Sequence, residues 1–192
     1  LKNYCLDLQY NNLEQAEKLV KDYKDEAACI ITVPYNLITP LEEGKNFLQG
    51  LRELTEENDM LLIFDEIITG FRLALGGAQE YFGVTPDLAV FAKAMSNGFP
   101  LAAFVGRREY MKKAEELMIT TTYGGENLSI AAAIATIKEL RGKRVHDHLW
   151  AMGRKLMQGF DKLTEDHDIK AKTVGLPPVP VLQFKEEDQN KN

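Results

Sequence analysis

"MLLIFDE", residues 60–66, is a short apolar run that stops abruptly at two acids. A run this brief, with polar residues on both sides, reads as a strand buried on both faces, too short for a helix. Its upstream neighbours decide the fold class. From Lys45 to Glu57 the residues Phe47, Leu48, Leu51 and Leu54 recur at helical spacing. Before them, "ACIITV" (28–33) is β-branched, ends at Pro34 and reads as another doubly buried strand. Two strands separated by a helix require a crossover, which is nearly always right-handed, so the strands are expected to be parallel and the class α/β.

The same reading extends in both directions. Residues 12–23 predict a helix with Leu13, Ala16, Leu19, Val20 and Tyr23 on one face, and Asn12 with Gln15 forms a candidate capping box. Leu88–Phe91 and "LAAFVG" (101–106) are further strand candidates, and helices are expected near 107–117, 127–140 and 147–163. The architecture predicted is a mostly parallel sheet flanked by helices. Gly175 and the prolines at 177, 178 and 180 mark a change of regime, and "VPVLQF" (179–184) reads as a strand of a small α+β domain. The expected division is residues 1–143 for a large domain and 144–192 for a connecting helix and the start of the small one. The chain begins at Leu1, within what reads as a strand, and ends in polar "KEEDQNKN", the pattern of a piece of a longer chain.

Composition narrows the function classes. With 23 basic and 29 acidic residues the net charge is -6, and no basic arm marks nucleic acid as a partner. Two cysteines make no disulfide framework, no apolar run is long enough to span a bilayer, and the cytoplasm is the expected address. His146, His148 and His167 lack metal-site spacing, so they read as solvated and no metal site is expected.

In open parallel sheets ligands bind outside the carboxyl ends of the strands, where strand order reverses. Asp65 directly follows one apolar run and Lys93 closely follows another, so both are expected at one rim. A desolvated lysine is a nucleophile toward carbonyls, and pyridoxal phosphate needs such an amine together with a carboxylate at its ring nitrogen. The pair also admits plainer readings, with Asp65 a helix cap or metal ligand and Lys93 a solvated charge.

The stretch "LLIFDEIITGFRLALGGAQEYFGVTPDLAVFAKAMSNGFPLAAFVG" (61–106) resembles the class III aminotransferases, pyridoxal-phosphate enzymes of fold type I. Within that family it is most similar to the aminomutases of glutamate 1-semialdehyde. The resemblance continues through "FLQGLREL" (47–54) and "TTYGGENLSIAAAIATIKEL" (121–140). It implies that Lys93 forms the Schiff base with the cofactor and shuttles protons, that Asp65 holds the pyridinium, and that Ile67 packs on the ring. It also implies a homodimer in which Thr122 reaches the phosphate in the neighbouring subunit. On their own residues, Ile67 reads equally as core and Thr122 as a helix cap. Glu66 and Arg72 read as structural residues on the rim.

Two departures bear on the reaction. Ser96, Asn97 and Gly98 stand where the aminomutases usually carry a glycine run, and "TVPYN" (32–36) lacks the glutamate usual before its proline. The resemblance therefore implies either an aminomutase or an intermolecular transaminase acting on a keto sugar or small ketone. The substrate would be an amino acid or amino aldehyde. From another class, the chain could be a non-catalytic fragment that only dimerises, because the family's other phosphate loop and covering aromatic residue precede Leu1.

Overall fold

The protein is described by a computed structural model covering residues 4–114, 116–117 and 124–184. Helix α1 (Leu13–Asp22) leads to strand β1 (Cys29–Thr32), helix α2 (Leu41–Glu57) and strand β2 (Leu61–Asp65). After α3 (Gly77–Phe82) come β3 (Leu88–Phe91), β4 (Ala103–Gly106), α4 (Arg108–Ala114), α5 (Asn127–Gly142) and α6 (Val145–Asp166). A hairpin, β5 (Ala171–Leu176) and β6 (Val179–Phe184), completes the described chain.

The crossover reading holds. β1 and β2 pair in parallel from Cys29↔Leu61 to Thr32↔Phe64, and β2 pairs in parallel with β3 from Ile63↔Leu88 to Asp65↔Val90. β4 runs antiparallel to β3, which makes the sheet mostly parallel with the order β1-β2-β3-β4. Among the described strands this order never reverses. The candidate rim is thus the shared carboxyl end of β2 and β3, and not the reversal point expected from the sequence.

Strand burial differs from the expectation of two covered faces. On β2, Leu62 and Phe64 are fully buried while Leu61 and Ile63 are half-buried. On β1, Cys29 and Ile31 are exposed, Ile31 by 64%. The register puts Cys29 and Ile31 opposite Leu61 and Ile63, so the four share one sheet face, and among the described residues that face is less covered than the one carrying Leu62 and Phe64. The core lies on the other face, where Leu48 and Leu51 of α2 meet Leu62 and Phe64. Fully burying each of these side chains stabilises the fold by about 1.5–3 kcal/mol.

Local signals shift several boundaries. Asn12 accepts the Gln15 N–H at 2.9 Å, but the Gln15 side chain turns to the Gln9 N–H, so only half of the expected capping box forms. α2 starts at Leu41, four residues ahead of the expected Lys45, directly after Pro40. α4 ends at Ala114, short of the expected Leu117, and α6 extends past both expected ends. Residues 5–9 form no strand, contrary to the reading of the chain's start; Leu8 instead packs against the core. The Pro177–Pro178 pair makes a two-residue connection, and Leu176 and Val179 beside it join the main core. A side chain at Gly153 of α6 would lie 1.9 Å from the Pro177 carbonyl oxygen, so helix and hairpin meet at backbone distance. No described helix is long and apolar enough to cross a membrane.

One buried acid ties the sheet to its helix. Asp87, just before β3, is 1% exposed, and its Oδ2 accepts the Leu62 N–H of β2 at 2.8 Å and Arg52 Nη1 of α2 at 2.9 Å. Arg107, just after β4, reaches Oδ1 at 3.2 Å, with its side chain 54% exposed. Removing the acid strands a buried N–H and takes from the nearly buried Arg52 guanidinium its buried counter-charge, leaving it the exposed Glu56 carboxylate at 3.0 Å and the Thr85 carbonyl at 3.4 Å. Asp87→Ala should therefore lower unfolding free energy by about 3–5 kcal/mol, and Arg107→Ala by less than about 1 kcal/mol. Urea denaturation measures both; equal losses would contradict this division.

Candidate active site

Asp65 closes β2 opposite Val90 of β3, and the Glu66 N–H continues the ladder to the Val90 carbonyl at 2.9 Å. Lys93 follows Val90 by three residues, which brings both residues to the same sheet edge on adjacent strands. Asp65 is half-buried; its Oδ1 accepts the Ile67 N–H at 3.0 Å, and its Oδ2 has no partner among the described residues. Ile67 is half-buried beside it.

Lys93 is exposed, which corrects the expectation of a desolvated amine. It opens a 3₁₀ turn, Lys93–Met95, that projects beyond β3, and its φ of 46° lies in the left-handed region. That backbone costs a non-glycine residue about 1–2 kcal/mol, and the turn offsets it. Met95 is buried, Ser96 N–H bonds to the Lys93 carbonyl, and the buried Ser96 hydroxyl donates to Phe99 O at 2.6 Å. Asn97 and Gly98 continue at φ 49° and 102°. The "SNG" segment is thus the closure of the lysine turn.

The loop between β2 and α3 is heavily anchored. Glu66 points inward, away from the rim position expected for it, and is fully buried. Its carboxylate accepts from Thr69 Oγ1 at 2.8 Å, Ala78 N at 2.7 Å and Gln79 N at 3.0 Å, capping α3. Gly77 permits this, since its φ is 79° and a Cβ there would sit 2.5 Å from Glu66 Oε2. Arg72 does remain on the rim, exposed.

His146 is not solvated as expected. Its Nε2 donates to the Phe71 carbonyl at 3.2 Å, and one helical turn later Trp150 Nε1 donates to the Leu73 carbonyl at 3.0 Å. Trp150 also stacks on Tyr81 at 5.4 Å. The i, i+4 spacing of an imidazole and an indole on one helix face was the available sequence signal for this contact. Phe71 itself sits at φ 60° and packs on Phe91, the last residue of β3, at 5.6 Å.

Lys93 lines an open cleft of about 1210 Å³ with Phe71, Arg72, Asn97, Thr136 and Glu139. Asp65 and Ile67 are not in its lining and lie at the neighbouring strand end. Thr122 lies outside the described residues. The cap of α5 is Glu126, whose carboxylate accepts the N–H groups of Leu128 and Ser129. The adjoining Ser129 hydroxyl and these N–H groups hold the carboxyl below the ordinary glutamate value.

Comparison with known proteins identifies the family and the fold. The family profile described as aminotransferase class III matches residues 6–189. A glutamate-1-semialdehyde 2,1-aminomutase of Methanocaldococcus jannaschii is 42% identical over 194 aligned positions, covering 97% of this chain and 44% of that protein. A 3-aminobutyryl-CoA aminotransferase of Cloacimonas acidaminovorans is 38% identical, covering 95% and 45%. Among solved structures, the pyridoxal-phosphate internal aldimine form of FumI from Sphingopyxis sp. MTA144 shares the fold, with a TM-score of 0.87, 24% identity and coverage of 95% and 45%. An omega-transaminase from Sphaerobacter thermophilus gives 0.81 at 27% identity, covering 93% and 42%. The chain spans less than half the length of each of these proteins.

Because the folded pKa of Glu126 lies below its unfolded value, its cap contributes fully above the ordinary value of 4.5 and fades as pH falls through the lowered folded value. Glu126→Gln should therefore destabilise α5 at pH 7, and the gap from the parent should close on acidification. Thermal melts followed by helical circular dichroism across that range test this.

Proposed function

This chain belongs to the class III aminotransferases, and from that premise we propose that the complete protein is a pyridoxal-phosphate enzyme that moves an amino group in the manner of a glutamate-1-semialdehyde aminomutase. The observation that carries the reading is the register Asp65↔Val90, which brings Asp65 and Lys93 to one edge of adjacent parallel strands. The donor set fits the cofactor: an accessible primary amine for its aldehyde, and a half-buried carboxylate with one oxygen unengaged for its ring nitrogen.

When bound, pyridoxal phosphate supplies an aldehyde that captures amines and a ring that takes up electrons. Asp65 would hold the ring nitrogen with its proton, an attraction that the partial burial of the carboxylate strengthens relative to water. The Ile67 N–H fixes the orientation of the carboxylate while the Ile67 side chain excludes water beside it. Lys93 would be the residue that holds the aldehyde, and its amine on a long flexible stem would be the group placed to carry a proton between neighbouring atoms. The closed Ser96 turn keeps the lysine backbone in place during that exchange.

Further parts of the reading concern the whole protein. It works as a homodimer in the cytoplasm, with Thr122 reaching the neighbouring cofactor phosphate. Residues 1–143 belong to the large domain, and 144–192 begin the connection to a smaller one. The similarity to an aminotransferase from Cloacimonas acidaminovorans supports a second reading, transfer between separate molecules.

The complete protein should show imine absorbance near the visible edge, absent in Lys93→Ala, with turnover reduced by about 100- to 10,000-fold. Conversion of glutamate 1-semialdehyde without an added amino donor supports the aminomutase; an absolute need for a second amino compound favours intermolecular transfer. A complete protein that neither absorbs there nor responds to the substitution would overturn the assignment.

A further inference from the structure

We propose that His146 and Trp150 are positioning residues for Lys93: two N–H donors on α6 hold the 71–73 segment, and that segment, packed on Phe91, holds the end of β3 from which the amine projects. The inference rests on the functional reading above and adds to it what keeps the lysine in place.

The first observation is a pair of strained residues joined by one contact. Phe71 has φ 60° and Lys93 φ 46°, both in the left-handed region, and the Phe71 ring packs at 5.6 Å on Phe91, two residues before Lys93. The approach is close. A Cβ at Gly70 would meet Phe91 Cδ1 at 2.4 Å, so the loop backbone lies on that ring. Phe91 is 9% exposed and closes β3, so a shift of its ring displaces the strand end that leads into the lysine turn.

The second observation is what opposes the strain at Phe71. Left-handed backbone costs a non-glycine residue about 1–2 kcal/mol, and it persists only where surrounding contacts over-determine it. Two of those contacts come from one face of α6. His146 Nε2 lies 3.2 Å from the Phe71 carbonyl, and since a carbonyl only accepts, that nitrogen carries the proton. One turn on, Trp150 Nε1 donates to the Leu73 carbonyl at 3.0 Å, and its ring is held in turn by stacking on Tyr81 at 5.4 Å. The Arg72 N–H, bonded to the Thr69 carbonyl at 3.1 Å, closes the segment from within.

The third observation is location. Val145 and Leu149, each the residue just before one of these donors, line the same cleft as Phe71 and Lys93. A chain of packed groups thus runs from α6 through Phe71 and Phe91 to the lysine turn, and energetic coupling passes through such contiguous contacts. Loss of a donor frees Phe71 to relax toward ordinary backbone and to withdraw from Phe91. The amine then samples positions away from the atoms it serves, and a misplacement of about 1 Å costs roughly 100-fold in rate.

The experiment uses the complete protein with three substitutions. His146→Leu removes the donor, His146→Gln returns an N–H at similar reach, and Trp150→Phe keeps a ring on Tyr81 without the N–H. Hydrogen exchange in the cofactor-free proteins reads the coupling. His146→Leu should speed exchange about 10-fold both at the Arg72 N–H and at the Ser96 N–H of the lysine turn. Loosening confined to residues 69–73 would mark a local contact and overturn the inference. With pyridoxal phosphate bound, imine absorbance should persist while the circular dichroism of that band weakens, and kcat should fall about 10- to 100-fold with KM within about twofold. His146→Gln should recover most of each effect; equal losses in the Leu and Gln variants would count against a donor role and defeat the proposal. If His146→Leu does not fold, Trp150→Phe decides: the same paired loosening supports the inference, and its absence overturns it. A parent protein without imine absorbance would overturn the functional reading, whereas normal absorbance with no change in any variant would overturn this inference alone.

Discussion

Asp87 sits where three strands and a helix must agree. Its side chain replaces the missing neighbour of the Leu62 N–H, holds Arg52 of α2 over the sheet and engages Arg107 after β4, while its own backbone exchanges bonds with Leu62 and Arg107. A buried carboxylate is tolerated only with such complete satisfaction. Since β2 and β3 are fixed to each other at this amino-terminal side, their carboxyl ends are fixed too, and with them the separation of Asp65 from Lys93. The candidate edge thus inherits its geometry from an ion cluster at the opposite end of the strands.

At the working edge the chain places strain where it has anchors to hold it. Lys93, Phe71 and Asn97 all adopt left-handed backbone, and each lies in a segment closed by a buried hydrogen bond or an aromatic contact. Glu66 has the complementary role: by capping α3 from within, it anchors the loop that carries Arg72 without occupying the cleft. Adjacent acids, Asp65 and Glu66, point to opposite environments because successive strand residues face opposite sides of the sheet.

The parallel core was legible because periodicity is local: "ACIITV", the leucines of α2 and "MLLIF" each declare their element within a few residues. Burial was not, because whether Ile31 is covered depends on what lies beside β1, and an apolar run looks the same at an edge as at the centre. The shared location of Asp65 and Lys93 was legible from their places after apolar runs, and the parallel register puts them at one end of adjacent strands although the described strand order does not reverse. The roles of His146, Trp150 and Asp87 escaped because their partners are distant in sequence, 75 residues away for His146 and Phe71. A polar side chain alone does not reveal which carbonyl it will meet.

Among the described strands the sheet is open at both margins. β1 offers its outer backbone beside an exposed Ile31, and β4 offers its own beside Phe104 and Val105, each more than two-fifths exposed. Unpaired strand margins with apolar neighbours are templates for another polypeptide. Handled as an isolated segment, this chain is therefore sticky at two separate places, and two sticky margins permit open-ended stacking where one would stop at a pair.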